Sequence, residues 1–145
     1  MATRARAGRI VINKAASFEP SAMLTISVGK EPKHKDFTAH ESFLIARSEF
    51  FHCAMKGRWE ESNTRVIKFP DDQYTIFALY LNFVYTGQLV TMRKSEEERS
   101  DFISKDMWDE YDDLFRLYIL AEKLQDVTTK NAAHRCCRRC DANED

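Results

Sequence analysis

The stretch Phe37-Thr38-Ala39-His40-Glu41-Ser42-Phe43-Leu44-Ile45-Ala46-Arg47-Ser48-Glu49-Phe50-Phe51 changes its period partway along, and that change decides the fold class. Residues 37–40 read as a short strand. From Glu41 onward the apolar residues Phe43, Leu44 and Ala46, then Phe50, Phe51, Ala54 and Met55, recur at spacings of three and four. That spacing places them on one helical face. Ser48 stands between the two apolar groups. Serine favours the N-cap, because its hydroxyl accepts from a free backbone N–H of the first turn. The prediction is two short helices with a break at Ser48, the second ended by Gly57.

Upstream, Met23-Leu24-Thr25-Ile26-Ser27-Val28-Gly29 alternates apolar and polar residues, a half-buried strand closed by a turn. The charged residues 30–36 return the chain to the 37–40 strand, which makes a hairpin. Downstream, Arg65-Val66-Ile67-Lys68-Phe69-Pro70 is a strand stopped by proline. Asp71-Asp72 is expected to start a helix, since carboxylates complement a helix N-terminus. The helix over 74–85 is apolar nearly all round, which predicts burial, and Gly87 ends it. Residues 93–113 show no sustained period and carry nine acids against four cations, so they read as a loop or partly disordered insert. Leu114, Leu117, Tyr118, Ala121 and Leu124 then give one clean helical face. A last helix over 128–140 has only Ala and Cys on its apolar side. The class is α+β, a small sheet with a hairpin capping a cluster of short helices.

Composition agrees with one folded unit. Leu, Ile, Val and Phe supply 33 of 145 residues, enough to bury a core, while Gly 4 and Pro 3 exclude collagen-like and low-complexity chains. A net charge of −1 provides no global field toward nucleic acid or an anionic membrane. No apolar run is long enough to span a bilayer or form a secretory core, so a cytoplasmic or nuclear location is expected. The charge is uneven, however. Residues 1–18 hold Arg4, Arg6, Arg9 and Lys14 and no acid, a disordered basic leader or a presequence-like start.

Chemistry is sparse. The sequence has no Gly-x-Ser-x-Gly, no Gly-rich phosphate loop and no His-Glu-x-x-His. His52 and Cys53 are adjacent, but helical neighbours point about 100° apart and do not form a dyad. No enzyme, cofactor or small-molecule substrate is expected. Cys137-x-x-Cys140 has ligand spacing, yet structural zinc takes a second pair from another segment. Cys136 and Cys137 cannot both face one ion from a regular helix, and the distant Cys53 is expected on a buried helix. A metal site is therefore not expected. The alternative to an interaction module is a regulatory protein that binds nucleic acid or metal through its tail. That tail holds His134, Cys136, Cys137 and Cys140 beside Arg135, Arg138 and Arg139.

Four patches in register resemble one known family. They are Phe37-x-x-His40-x-x-x-Leu44-x-Ala46-Arg47-Ser48-x-x-Phe51, then Trp59-Glu60-Glu61-Ser62, then Phe83-Val84-Tyr85-Thr86-Gly87, then Leu117-Tyr118-x-Leu120-Ala121-x-Lys123-Leu124. In this order they are similar to the landmarks of BTB/POZ domains, and the insert after Gly87 looks like the members found in filamentous fungi. The resemblance implies a domain over 19–130 with the acidic insert at 93–113, after the 1–18 leader and before a helix end and tail at 131–145. It makes Phe37, His40, Leu44, Ser48, Phe51, Tyr85 and Gly87 structural signature residues.

The resemblance also implies a protein–protein interaction module that homodimerises, with Phe43 and Leu44 at the interface. In the adaptor class of the family, a hydrophobic-x-Glu motif after the second short helix contacts a cullin scaffold for ubiquitin ligation. Trp59-Glu60-Glu61 matches it, which assigns Trp59 and Glu61 to that contact. Met23 and Glu41 depart from the pattern of a corepressor pocket. No kelch array, MATH-like sandwich or zinc finger accompanies the domain, so a bare dimerisation module, a competitor of longer homologues or a truncated relative of a longer protein is expected.

Overall fold

The alternation over Met23–Val28 becomes β1, the middle strand of a three-stranded sheet of order β2-β1-β3. The computed structural model describes residues 23–57, 60–92 and 105–141, and for residues 60, 61 and 138–141 the backbone only. Strand β2, Lys35–His40, pairs antiparallel with β1, with Met23 opposite His40 and Val28 opposite Lys35. This is the expected hairpin, turned at Gly29, whose φ of 104° suits a residue without a side chain. Strand β3, Val66–Phe69, pairs parallel with β1, Thr25 opposite Val66. Parallel neighbours need a crossover. Here the crossover is helical: α1 (Glu41–Arg47), α2 (Glu49–Lys56) and α3 (Glu60–Thr64). The short α3 was not foreseen.

Helices α4 (Tyr74–Thr86), α5 (Lys105–Lys123) and α6 (Val127–Asp141) complete the fold. Leu24, Ile26 and Val28 of β1 are buried against Leu44, Phe51, Phe77, Tyr80, Leu117 and Leu124. Aromatic rings join sheet to helices in a chain, Phe50 to Phe69 at 5.6 Å, Phe69 to Phe77 at 5.4 Å and Phe77 to Tyr80 at 5.7 Å between centroids. Tilted ring pairs of this kind add to the burial of their area. Gly87 ends α4 at φ 72° with its N–H donating to Phe83 O at 2.8 Å, as a left-handed terminator should. Gly57 ends α2 in extended backbone instead.

Two expectations are corrected. Residues 105–113, read as part of a loop, are the first half of α5. The buried face of α5 begins with Glu110, followed by Leu114, Leu117, Leu120 and Ala121. A charged residue at the first inward position hides the period from a hydrophobicity scan. Asp71-Asp72 do not cap α4, whose N-cap is Gln73 with no side-chain cap bond. Both carboxylates pair with lysines, Asp72 with Lys123 at 2.5 Å and Asp71 with Lys30 at 3.9 Å.

The break between α1 and α2 lies on the break between α5 and α6. Ser48 N–H donates to Leu44 O at 2.8 Å and closes α1. Its hydroxyl accepts from Phe51 N–H at 3.2 Å and donates to Leu124 O at 2.5 Å. The other free N–H groups of α2 also reach the end of α5, Glu49 to Gln125 O at 3.4 Å and Phe50 to Leu124 O at 3.3 Å. The orphan donors that start one helix thus meet carbonyls left over where another ends. Gln125 adopts φ 54° to turn the chain there, and Asp126 N–H reaches back to Ala121 O at 2.9 Å.

Ser48→Ala should lower stability by about 1–2 kcal/mol. The loss stays in that range because Leu124 O keeps its bond from Phe50. Urea unfolding with a shifted midpoint and unchanged slope is the expected readout. An unshifted midpoint would mean that the hydroxyl does not hold this crossing together.

Candidate functional site

At one end of the sheet β2 hands over to α1, and the C-terminal end of α4 arrives beside it. His40 is the residue at the handover, the last of β2 and the N-cap of α1. His40 was expected to be a structural signature residue, and its contacts are structural. Tyr85 hydroxyl lies 2.8 Å from both His40 N and His40 Nδ1. The backbone N–H can only donate, so the hydroxyl accepts there and gives its own proton to Nδ1. In the neutral ring this network places the remaining proton on Nε2. Phe43 completes the group, its ring 5.1 Å from His40 and 4.8 Å from Tyr85. Tyr85 is 42% exposed, so this aromatic cluster reaches the surface.

A charged rim adjoins it. Glu41 pairs with Arg65, whose Nε also donates to Met23 O at 3.2 Å. Arg65 holds φ 56°, a left-handed backbone that is uncommon for a long side chain. Met23, opposite His40 in the sheet, thereby joins the same end of the molecule.

Beneath this surface runs a buried polar network that sequence reasoning missed. Asp126, its side chain 0% exposed, accepts from Tyr80 hydroxyl at 2.9 Å and from Thr129 N–H at 3.0 Å, the second bond capping α6. Arg47 at the end of α1 lies 3.5 Å from Asp126 Oδ2, donates to Thr129 Oγ1 at 3.2 Å and lies over the Phe83 ring. Burial, and then the Asp126 charge, push the Tyr80 hydroxyl far above the ordinary tyrosine range. The signal in the sequence was Asp126-Val127-Thr128-Thr129, an aspartate at N-cap distance from a helix start; the tyrosine that meets it lies 46 residues away.

The predicted site residues do not share one role. Leu44 is 0% exposed and packs in its own core, which corrects its assignment to a dimer interface. Its neighbour Phe43 stays partly accessible. Phe51 and Ser48 are buried and Phe37 packs on Phe77 at 5.8 Å, all structural as expected. Trp59 lies outside the described residues, and Glu61 is described only as backbone in α3. Cys53 is exposed rather than buried, correcting that expectation; its thiol donates to Glu49 at 3.5 Å, a bond that raises its pKa.

Cys136 and Cys137 are partly buried on α6, and the side chain of Cys140 is outside the described residues. Among the described residues no three His, Cys, Asp or Glu side chains cluster as metal ligands, and no helix is long and apolar enough to cross a membrane. A cleft of about 170 Å³, lined by Asp71, Asp72, Gln73, Ile76, Arg116, Ile119 and Leu120, is below the roughly 300–1,000 Å³ of small-molecule sites. It brings no nucleophile together with a base. The arrangement suits contact with another protein.

Comparison with known proteins agrees with that geometry. The family model described as BTB/POZ domain matches residues 21–107, more than half of the chain. Armadillo BTB Arabidopsis protein 1 of Arabidopsis thaliana is 31% identical over 55 residues, 38% of this chain and 8% of that protein. GDNF-inducible zinc finger protein 1 of Mus musculus is 31% identical over 77 residues, 52% of this chain and 10% of that protein. Inhibitor of Bruton tyrosine kinase, also of Mus musculus, is 32% identical over 63 residues, 43% of this chain and 5% of that protein. The chain thus matches a tenth or less of the length of each. These are plant and mouse proteins and carry no argument about the fungal likeness read from the sequence.

The buried network sets a pH dependence. Tyr80 keeps its proton in the folded state at pH values where an unfolded tyrosine, with a pKa of about 10, has lost it. The unfolded state then binds fewer protons, so stability must fall as pH rises past about 10. Tyr80→Phe should lower stability at neutral pH by about 1–3 kcal/mol, through the bond lost to buried Asp126. It should also flatten the alkaline decline relative to the parent. Urea midpoints for both proteins across that pH range measure both effects.

Proposed function

The chain belongs to the BTB/POZ domain family, and on that premise we propose that it homodimerises through the end of the sheet where His40, Phe43 and Tyr85 meet. Members of the family are protein–protein interaction modules, and that coarser statement holds for this chain. The observation that carries the proposal is the aromatic cluster itself. Three rings reach the surface on rigid elements, the end of a strand and two helices, beside the Glu41–Arg65 pair. Aromatic residues and arginine are the types that anchor interfaces, because they bury a large area with few rotors. Leu44 supports the interface only from behind, as part of the core on which Phe43 is mounted. A stable dimer would bury roughly 1,200–2,000 Å² in total.

Light scattering coupled to size exclusion should give the dimer mass, and Phe43→Lys should give the monomer with its fold intact. A monomer mass for the parent at every dilution would refute the proposal.

A second reading adds a cullin scaffold as partner, which makes the protein an adaptor in ubiquitin ligation acting in the cytoplasm or nucleus. It rests on Trp59-Glu60-Glu61 following α2, with Glu60 and Glu61 beginning α3. An aromatic ring followed by a carboxylate supplies buried area and a charge-assisted bond. If the ring is such an anchor, Trp59→Ala costs more than ~2 kcal/mol of binding, about thirtyfold. The same variant should melt like the parent. Loss of cullin capture with an unchanged melt supports the adaptor. A parent that captures no cullin, or a variant that melts early, removes it and leaves the dimerising module.

A further inference from the structure

Helix α5 exposes Trp108, Tyr111, Phe115 and Ile119 in a stripe along its outer side, away from Leu117, Leu120 and Ala121 of its core face. The cluster of His40, Phe43 and Tyr85 differs in having an ion pair on its rim whose geometry indicates what meets it.

Arg65 is fixed at three points. Its carbonyl accepts from Thr25 N–H at 3.0 Å, its Nε donates to Met23 O at 3.2 Å, and its Nη2 pairs with Glu41. Glycine would adopt the φ of 56° at less cost, so this backbone is compensated by what the guanidinium gains where it places it.

A guanidinium carries five N–H donors in a planar fork. Among the described residues, Nε and Nη2 of Arg65 have partners and the Nη1 edge is uncommitted. The side chain is 38% exposed, so that edge is open to a partner. An oriented edge of this kind suits a carboxylate, which it meets in two parallel bonds. Because the side chain is already held, binding there costs little further ordering.

The face supplies such a carboxylate itself. In a two-fold dimer each residue of the patch meets the same patch of the copy. Glu41 and Arg65 stand side by side, so one rotation sets Arg65 of each chain toward Glu41 of the other. One acid beside one base makes the rim self-complementary, whereas a partner of a single sign would oppose one of the two with a like charge.

Resting on the dimer proposed above, we infer that Arg65 determines its specificity: the Nη1 edge of Arg65 takes the Glu41 carboxylate of the second copy. Two charge reversals, Glu41→Lys and Arg65→Glu, test this. Each places like charges twice in a symmetric dimer, and each alone should give the monomer mass by light scattering. Mixed in equal amounts, the two variants restore opposite charges at both cross-chain contacts, and native mass spectrometry should find the heterodimer. Each chain in that mixture still carries like charges within itself, so a pair acting only inside one chain would not be rescued. Arg65→Gly controls for misfolding, since it suits the φ and keeps the carbonyl bond to Thr25. It should lose the dimer while melting no earlier than the parent.

A mixture that stays monomeric would overturn the inference. So would a dimer mass for either reversal or for Arg65→Gly, or an early melt of Arg65→Gly. In each of those cases a dimeric parent leaves the proposal for the aromatic cluster standing. A parent that is monomeric at every dilution removes that proposal, and this one with it.

Discussion

The bond from Ser48 hydroxyl to Leu124 carbonyl is the contact on which the rest of the arrangement depends. A helix that begins and a helix that ends each leave backbone groups without partners, and burying them unpaired is costly. This fold lays the two ends across each other, so Glu49, Phe50 and Ser48 give their protons to Leu124 and Gln125. The crossing fixes α2 relative to α5. That in turn puts Phe51 and Leu124 into one core and sets Arg47, just before the break, beside Asp126, just after the other.

From that crossing the polar network follows. Asp126 is a fully buried carboxylate, tolerable only because it is held by Tyr80, Thr129 N–H and Arg47. Each partner comes from a different helix: α1, α4 and α6. The network therefore specifies how those helices meet, while the apolar residues around it supply most of the driving force. Buried polar groups of this kind constrain geometry because misplacing any one leaves a charge or a donor stranded.

The two surface features rest on this frame in different ways. The His40–Phe43–Tyr85 cluster is built from the ends of elements, where a strand gives way to a helix and another helix stops. The α5 stripe is the outer side of a helix whose inner side is already committed to Leu114, Leu117 and Leu120. Both surfaces are built largely of aromatic rings, at different places on the fold.

The sequence by itself determined the elements wherever apolar spacing was uninterrupted. It gave the β1–β2 hairpin, the α1–α2 break at Ser48, the end of α4 at Gly87, and the membership that four short motifs in register disclose. It misplaced what depends on a partner far along the chain. The first half of α5 was hidden because its inward residue is Glu110, and the Asp71-Asp72 carboxylates went to lysines rather than to a helix end. Leu44 and Phe43 are adjacent letters of one motif, yet only packing sent the first inward and left the second at the surface. The Tyr80–Asp126 bond spans 46 residues and His40–Tyr85 spans 45, distances over which no local pattern carries information. Tertiary structure decided these because a hydrogen bond depends on positions in space, and positions are set only once every helix end has found its partner.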